Sequence, residues 1–205
     1  MQFNTLATAQ QIHNTVRALH AKGIKTIEVS SKGEALEAIK KLIPANASVM
    51  NGSSVTLEQI GFVDYLKAGT HGWNNLHAAI VAEKDPAKQA VLRKQSVLSD
   101  YYLGSVHALA ENGEFIIASN TGSQLPHIVF TSSHLIFVVS TKKIVPTLAI
   151  GMQRLEEYVI PLENKHMMQK FGSPTSLNKI VIFKNENPRM GRTVYMILVP
   201  EDLGL

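Results

Sequence analysis

Residues 134–140 read HLIFVVS, an apolar run flanked by polar loops, and no other segment constrains the fold as strongly. A strand apolar on both sides must be covered on both faces, which points to the centre of a sheet. The preceding sequence supplies cover. IKTIEVS and ASVM read as short strands, and each is followed by an amphipathic segment. From Ser31, GEALEAIKKLI sets Leu36, Ile39 and Ile43 on one stripe with Lys40 and Lys41 opposite, and Pro44 stops it. After ASVM, TLEQIGFVDYLKAG reads as one helix opened by Thr56, with Gln59 three positions on completing a capping box. Strand alternating with helix predicts an α/β fold: a mainly parallel sheet with helices on both faces, in a single domain over residues 1–205.

The remaining segments fit this frame. Leu6, Ile12, Val16 and Leu19 recur at helical spacing after the cap candidate Asn4, so a helix over about residues 5–22, ended by Gly23, packs on the domain. Residues 69–84 show no clear period, and Asp85–Pro86 starts a charged helix to about Ser99. YLGSVHALA and EFIIAS read as two strands joined by a tight turn at Asn112–Gly113. SQLPHIVF and PTLAIGMQRLEEYV read as helices, and NKIVIF and TVYMILV as strands separated by the turn NENPRMGR.

Two polar loops follow predicted strands. Asn51, Gly52, Ser53 and Ser54 lie at the carboxyl end of a parallel strand, where open α/β sheets place ligands and where backbone amides favour a phosphate or carboxylate. Asn120, Thr121, Gly122, Ser123 and Gln124 repeat the arrangement after EFIIAS. Both loops are expected to face one crevice at the carboxyl edge of the sheet. The alternative is that they are plain turns, with Asn120 and Gly122 chosen for positive φ. Glu111, beside Asn112–Gly113, is the one carboxylate whose context suggests a nucleophile or general base, although Glu-Asn-Gly is also good hairpin chemistry. Lys142, Lys143 and Arg154 are candidate anion partners; paired lysines are usually solvated, and Arg154 also fits an exposed helix position.

Composition narrows the chemistry. The chain has no cysteine, which excludes thiolate zinc, an iron–sulfur cluster in this chain and a catalytic thiol. The eight histidines form no metal-ligand spacing, so no metal site is expected. A net charge of +4, spread over scattered basic pairs, does not call for nucleic acid but suits an anionic small molecule. No segment reaches the roughly 18 apolar residues of a membrane span, and a cytoplasmic location is expected.

Taken in order, GSSVTLEQIG, DYYLGSVHALAENGEFIIASNTGSQLP, HLIFVVSTKKIVPTLAIGMQRLEEYVIPLE, NKIVIF and VYMILVPEDLGL resemble the LUD domain family, which includes LutC-like lactate utilisation proteins. The resemblance implies a three-layer α/β/α arrangement of the NagB/RpiA/CoA-transferase-like kind. It places the family's Gly-Ser segment on Gly52–Ser54, its acidic turn on Glu111–Gly113, its second loop on Asn120–Gln124, and its basic positions on Lys143 and Arg154. Many relatives carry a cysteine-rich stretch where this chain has MMQKFGSPTSLNKIVIF, so a shared iron–sulfur role does not transfer. The resemblance implies an accessory or metabolite-binding component of lactate or organic-acid utilisation, with partner subunits of an iron–sulfur oxidase system and self-association both open. The alternative is a CoA-transferase-like or sugar-phosphate isomerase-like enzyme using Glu111. Against the first of these, AENG has Ala110 where the transferase motif has serine.

Overall fold

The computed structural model describes residues 2–205. Helix α1 (Ala9–Ala21) opens at Thr8 rather than Asn4. Thr8 and Gln11 form a reciprocal capping box that satisfies two otherwise free N–H groups. Strand β1 (Lys25–Glu28) leads to α2 (Lys32–Leu42), capped by Ser31, and β2 (Ser48–Asn51) leads to α3 (Val55–Gln59). The single helix expected after β2 is two. Gly61, at φ 79°, breaks it before α4 (Phe62–Ala68). The cap of α3 is Ser54, whose Oγ accepts from the Leu57 N–H at 3.3 Å, so Thr56 and Gln59 are released for other partners. The segment without a clear period contains β3 (Asn74–Asn75) and α5 (Leu76–Ala82), followed by α6 (Pro86–Gln95).

The run YLGSVHALA is not one strand. It takes in all but the first residue of β4 (Tyr101–Gly104) and the whole of β5 (Ala108–Ala110), which belong to different sheets. After β5 come β6 (Phe115–Ser119), β7 (His134–Ser140), β8 (Ile144–Val145), α7 (Leu148–Arg154), α8 (Ile160–Phe171), β9 (Lys179–Phe183) and β10 (Thr193–Val199). A π-helical turn, Leu155–Val159, joins α7 to α8.

Six strands form a parallel sheet in the order β1-β10-β7-β4-β2-β3, and HLIFVVS is β7, central as expected. Its alternate residues explain the apolar run. Ile136 and Val138 pack with Ala35, Ile39, Leu57 and Phe62 of the helical layer formed by α2, α3 and α4. Leu135, Phe137 and Val139 face the other way, onto Leu19 of α1 and onto Leu109, Phe115 and Ile117. The last three belong to a four-stranded sheet, β8-β5-β6-β9, set into the second flanking layer. The outer face of this small sheet is covered in turn by Leu155 and Val159 beyond α7. The architecture is therefore α/β with helices on both sides of a mainly parallel sheet, consistent with α/β/α layering.

Phe115 and Phe137 join the two sheets with ring centroids 5.7 Å apart, and both are buried. Phe137→Ala is expected to cost about 3–5 kcal/mol in denaturant unfolding, because rigid sheets on both sides cannot collapse into the cavity.

Candidate functional site

The carboxyl ends of β2 and β4 open into a cavity of about 490 Å³. Gly52, Ser53, Ser54 and Thr56 line it from the β2–α3 turn, and Gly104, Ser105, Val106 and His107 from the crossing between sheets. Asn120, Thr121, Ser123 and Gln124 close a second side, and α8 contributes Ile160, Glu163 and Met167. The two polar loops thus share one cavity. They do not share one sheet edge, however: the second loop follows β6 of the small mixed sheet, which packs on the parallel sheet through Leu109, Phe115 and Ile117.

The sequence-predicted residues divide into those at the cavity and those near it. Asn51 is buried beside it, with Nδ2 donating to the Gly52 carbonyl at 3.1 Å and Oδ1 unpartnered. Gly122 is turned toward Lys179, and Arg154 is fully buried outside the lining, where its Nη1 donates to the His107 carbonyl. The sequence alternative of an exposed helix arginine is thereby corrected, because α7 packs its Arg154 face against the small sheet. Glu111 is not brought to the cavity. It accepts a hydrogen bond from Gln11 of α1 at 3.1 Å, and its backbone N–H donates to Val145.

Lys142 and Lys143 are both buried rather than solvated. Lys142 pairs with Asp202 and donates to the Gly204 carbonyl at 2.8 Å. Lys143 lines the cavity, where its Nζ donates to Thr56 Oγ1 at 3.2 Å and to Ser105 Oγ at 3.1 Å. Burial, then the Arg154 charge, then that of Lys142, hold its amine well below the ordinary lysine range.

Sequence reasoning passed over three contributors, Thr56, Tyr102 and Ser105, and left a fourth, His107, undecided between core and crevice. His107 accepts the Ala118 N–H at its Nδ1, 3.1 Å away, which fixes the neutral ring with hydrogen on Nε2. Burial pulls this imidazole down to about 3, so it remains neutral. The Tyr102 hydroxyl donates to Gln124 Oε1 at 3.2 Å and ties the small-sheet loop to β4. The local signal for these roles was hidden. Thr56 looked like a cap, and the other three lay in what read as one unbroken strand.

Two substitutions probe this geometry. A Cβ at Gly52 would meet the Tyr102 hydroxyl and lie 2.8 Å from Gln124 Oε1, so Gly52→Ala is expected to destabilise by about 1–3 kcal/mol in urea melts. Glu111→Gln keeps an acceptor for Gln11 and is expected to stay within about 0.5 kcal/mol of the parent in the same assay.

Among the described residues, no helix is long and apolar enough to cross a membrane, and no group of three or more His, Cys, Asp or Glu side chains could hold a metal ion. The model of the LUD domain family matches residues 12–198. In structure the chain is similar to a DUF162 family protein from Deinococcus radiodurans, with a TM-score of 0.56 and 15% identity over 95% of this chain and 99% of that one. At that identity the likeness concerns the fold alone. No curated protein matches the chain.

Proposed function

Taking as premise that the chain belongs to the LUD domain family, we propose that it is a cytoplasmic accessory or metabolite-binding component of lactate or related organic-acid utilisation, and that it holds a small anion between its two polar loops. A partnership with iron–sulfur oxidase subunits fits the same reading, with this chain supplying the metabolite site and no cluster.

One observation carries it. Lys143 is a buried amine on the cavity wall whose hydrogen-bond partners are two hydroxyls, and among the described residues no side-chain carboxylate forms an ion pair with it. Arg154 lies behind His107 with Nε and Nη2 unpartnered, and burial pulls it down only to about 10, which leaves it charged at neutral pH. Burying positive charge without an anion is costly, and a ligand carboxylate or phosphate in the cavity offsets that cost. Ser53, Ser54 and Ser123 add hydroxyl donors around the same space, the Thr121 hydroxyl donating to Ser123 Oγ at 3.1 Å. Among the described residues of the lining, Glu163 of α8 is the one side-chain carboxylate. Glu111 has no part in this reading.

Calorimetry with lactate, other small carboxylates and inorganic phosphate tests it. Lys143→Met is expected to weaken anion binding at least about tenfold, or roughly 1.4 kcal/mol, while keeping a cooperative melt, because folding opposes protonation of the amine that it removes. The pH dependence has a definite sign. Lys143 is depressed in the free protein and a bound anion favours its charged form, so binding takes up a proton. Affinity therefore falls as pH rises through the free-protein value, and heats measured in buffers of different ionisation enthalpy report the uptake. Anion binding that is unchanged by Lys143→Met, with no proton uptake, removes the reading.

A further inference from the structure

We infer that Lys143 is a nucleophile that forms an imine with a carbonyl-bearing carboxylate, a 2-oxo acid, held in the cavity. The inference rests on the anion-binding reading of this cavity and names its ligand class.

The Ser105 hydroxyl donates to the Val138 carbonyl at 2.7 Å, so toward Lys143 its oxygen serves as an acceptor. Thr56 Oγ1 is within reach of Ser105 Oγ at 3.5 Å and accepts from Lys143 as well. Two tetrahedral positions of Nζ are therefore taken by N–H bonds to fixed oxygens. Among the described residues no acceptor takes the third, and in the neutral amine that position is a lone pair. The surroundings favour the neutral form, since a lysine desolvated beside other cations is the usual arrangement for an amine nucleophile, and Arg154 and Lys142 are those cations. His107 lines the same cavity, and with Nδ1 occupied by the Ala118 N–H it has an Nε2–H free to hydrogen-bond a carbonyl oxygen.

The steps balance without an oxidant or reductant. The Nζ lone pair bonds to the carbonyl carbon while the carbonyl π pair moves onto oxygen, near the His107 donor. A proton passes from nitrogen to that oxygen by way of solvent in the open cavity, giving a carbinolamine. The hydroxyl then takes a proton from solvent and leaves as water as nitrogen donates its pair to form C=N. The net change is amine, carbonyl and one proton giving iminium and water. The positive iminium lies next to the ligand's own carboxylate, which supplies the counter-charge that the protein withholds from Lys143.

Borohydride trapping tests this on the full chain. With pyruvate and sodium borohydride, peptide mapping by mass spectrometry is expected to show a single reduced adduct per chain on Lys143, competed by excess lactate and absent from Lys143→Met. Its yield should rise at lower pH than that of any labelled surface lysine. If lactate binds by calorimetry but Lys143 is never labelled, or only surface lysines are, the imine is overturned and the anion site stands. If neither acid binds and no label appears, both readings fall together.

Discussion

Lys143 is an amine buried with no side-chain carboxylate paired to it among the described residues, and the surrounding backbone is arranged to tolerate it. Lys143 has two hydroxyl acceptors, and each is free to accept for a separate structural reason. Thr56 is available because Ser54, two residues earlier, takes the capping role for α3. Ser105 is available because β4 ends at Gly104, which lets its hydroxyl turn to the Val138 carbonyl of β7. A chain that continued β4 in the parallel sheet would lose that acceptor.

The same break ties the two sheets to the site. Between Gly104 and Ala108 the chain leaves the parallel sheet and enters the small one, carrying Ser105, Val106 and His107 across the cavity wall. Val106 is buried among the residues that join the sheets. His107 is held from both ends: its ring by the Ala118 N–H of β6, its carbonyl by Arg154 of α7. Side-chain position at the cavity therefore depends on packing between layers. Loss of a core contact such as Phe115 with Phe137 would be felt at the site as well as in stability.

What the sequence made legible follows from the range of each interaction. Helix α2 was plain because the Leu36, Ile39 and Ile43 stripe and Pro44 are all local, and β7 was plain because a strand covered on both faces is apolar throughout Leu135–Val139. The split of YLGSVHALA was not, since Tyr102, Leu103, Leu109 and Ala110 are all buried and the apolar pattern runs straight through the crossing. Thr56 and Gln59 fitted a capping box by spacing alone. Their partners lie far away in sequence: Lys143 for Thr56, and the Gly204 N–H for Gln59. Lys142 and Lys143 looked solvated for the same reason, because the Asp202 and Gly204 partners of Lys142 lie about sixty residues on. Both loops were found because Gly, Ser and Asn after a strand is a local signal. Their meeting across two sheets was not.

The glycines of those loops show how one residue type answers two different demands. Gly122 sits at φ 85°, a conformation that side chains with a Cβ rarely adopt, and its free space is taken by the Lys179 side chain rather than by the cavity. There the turn itself requires glycine. Gly52 is not among the positive-φ residues, and a Cβ there is barred by the Tyr102 hydroxyl and Gln124. Gly204 meets both demands, with φ 69° and a Cβ position 2.8 Å from Lys143 Nζ. Two of the three glycines are thus fixed by close approach to side chains of the cavity wall, Tyr102 with Gln124 in one case and Thr56 with Lys143 in the other. A loop that only had to turn would need the first kind of glycine; backbone packed this closely around a lysine and its hydroxyl partners is what a shaped binding wall requires.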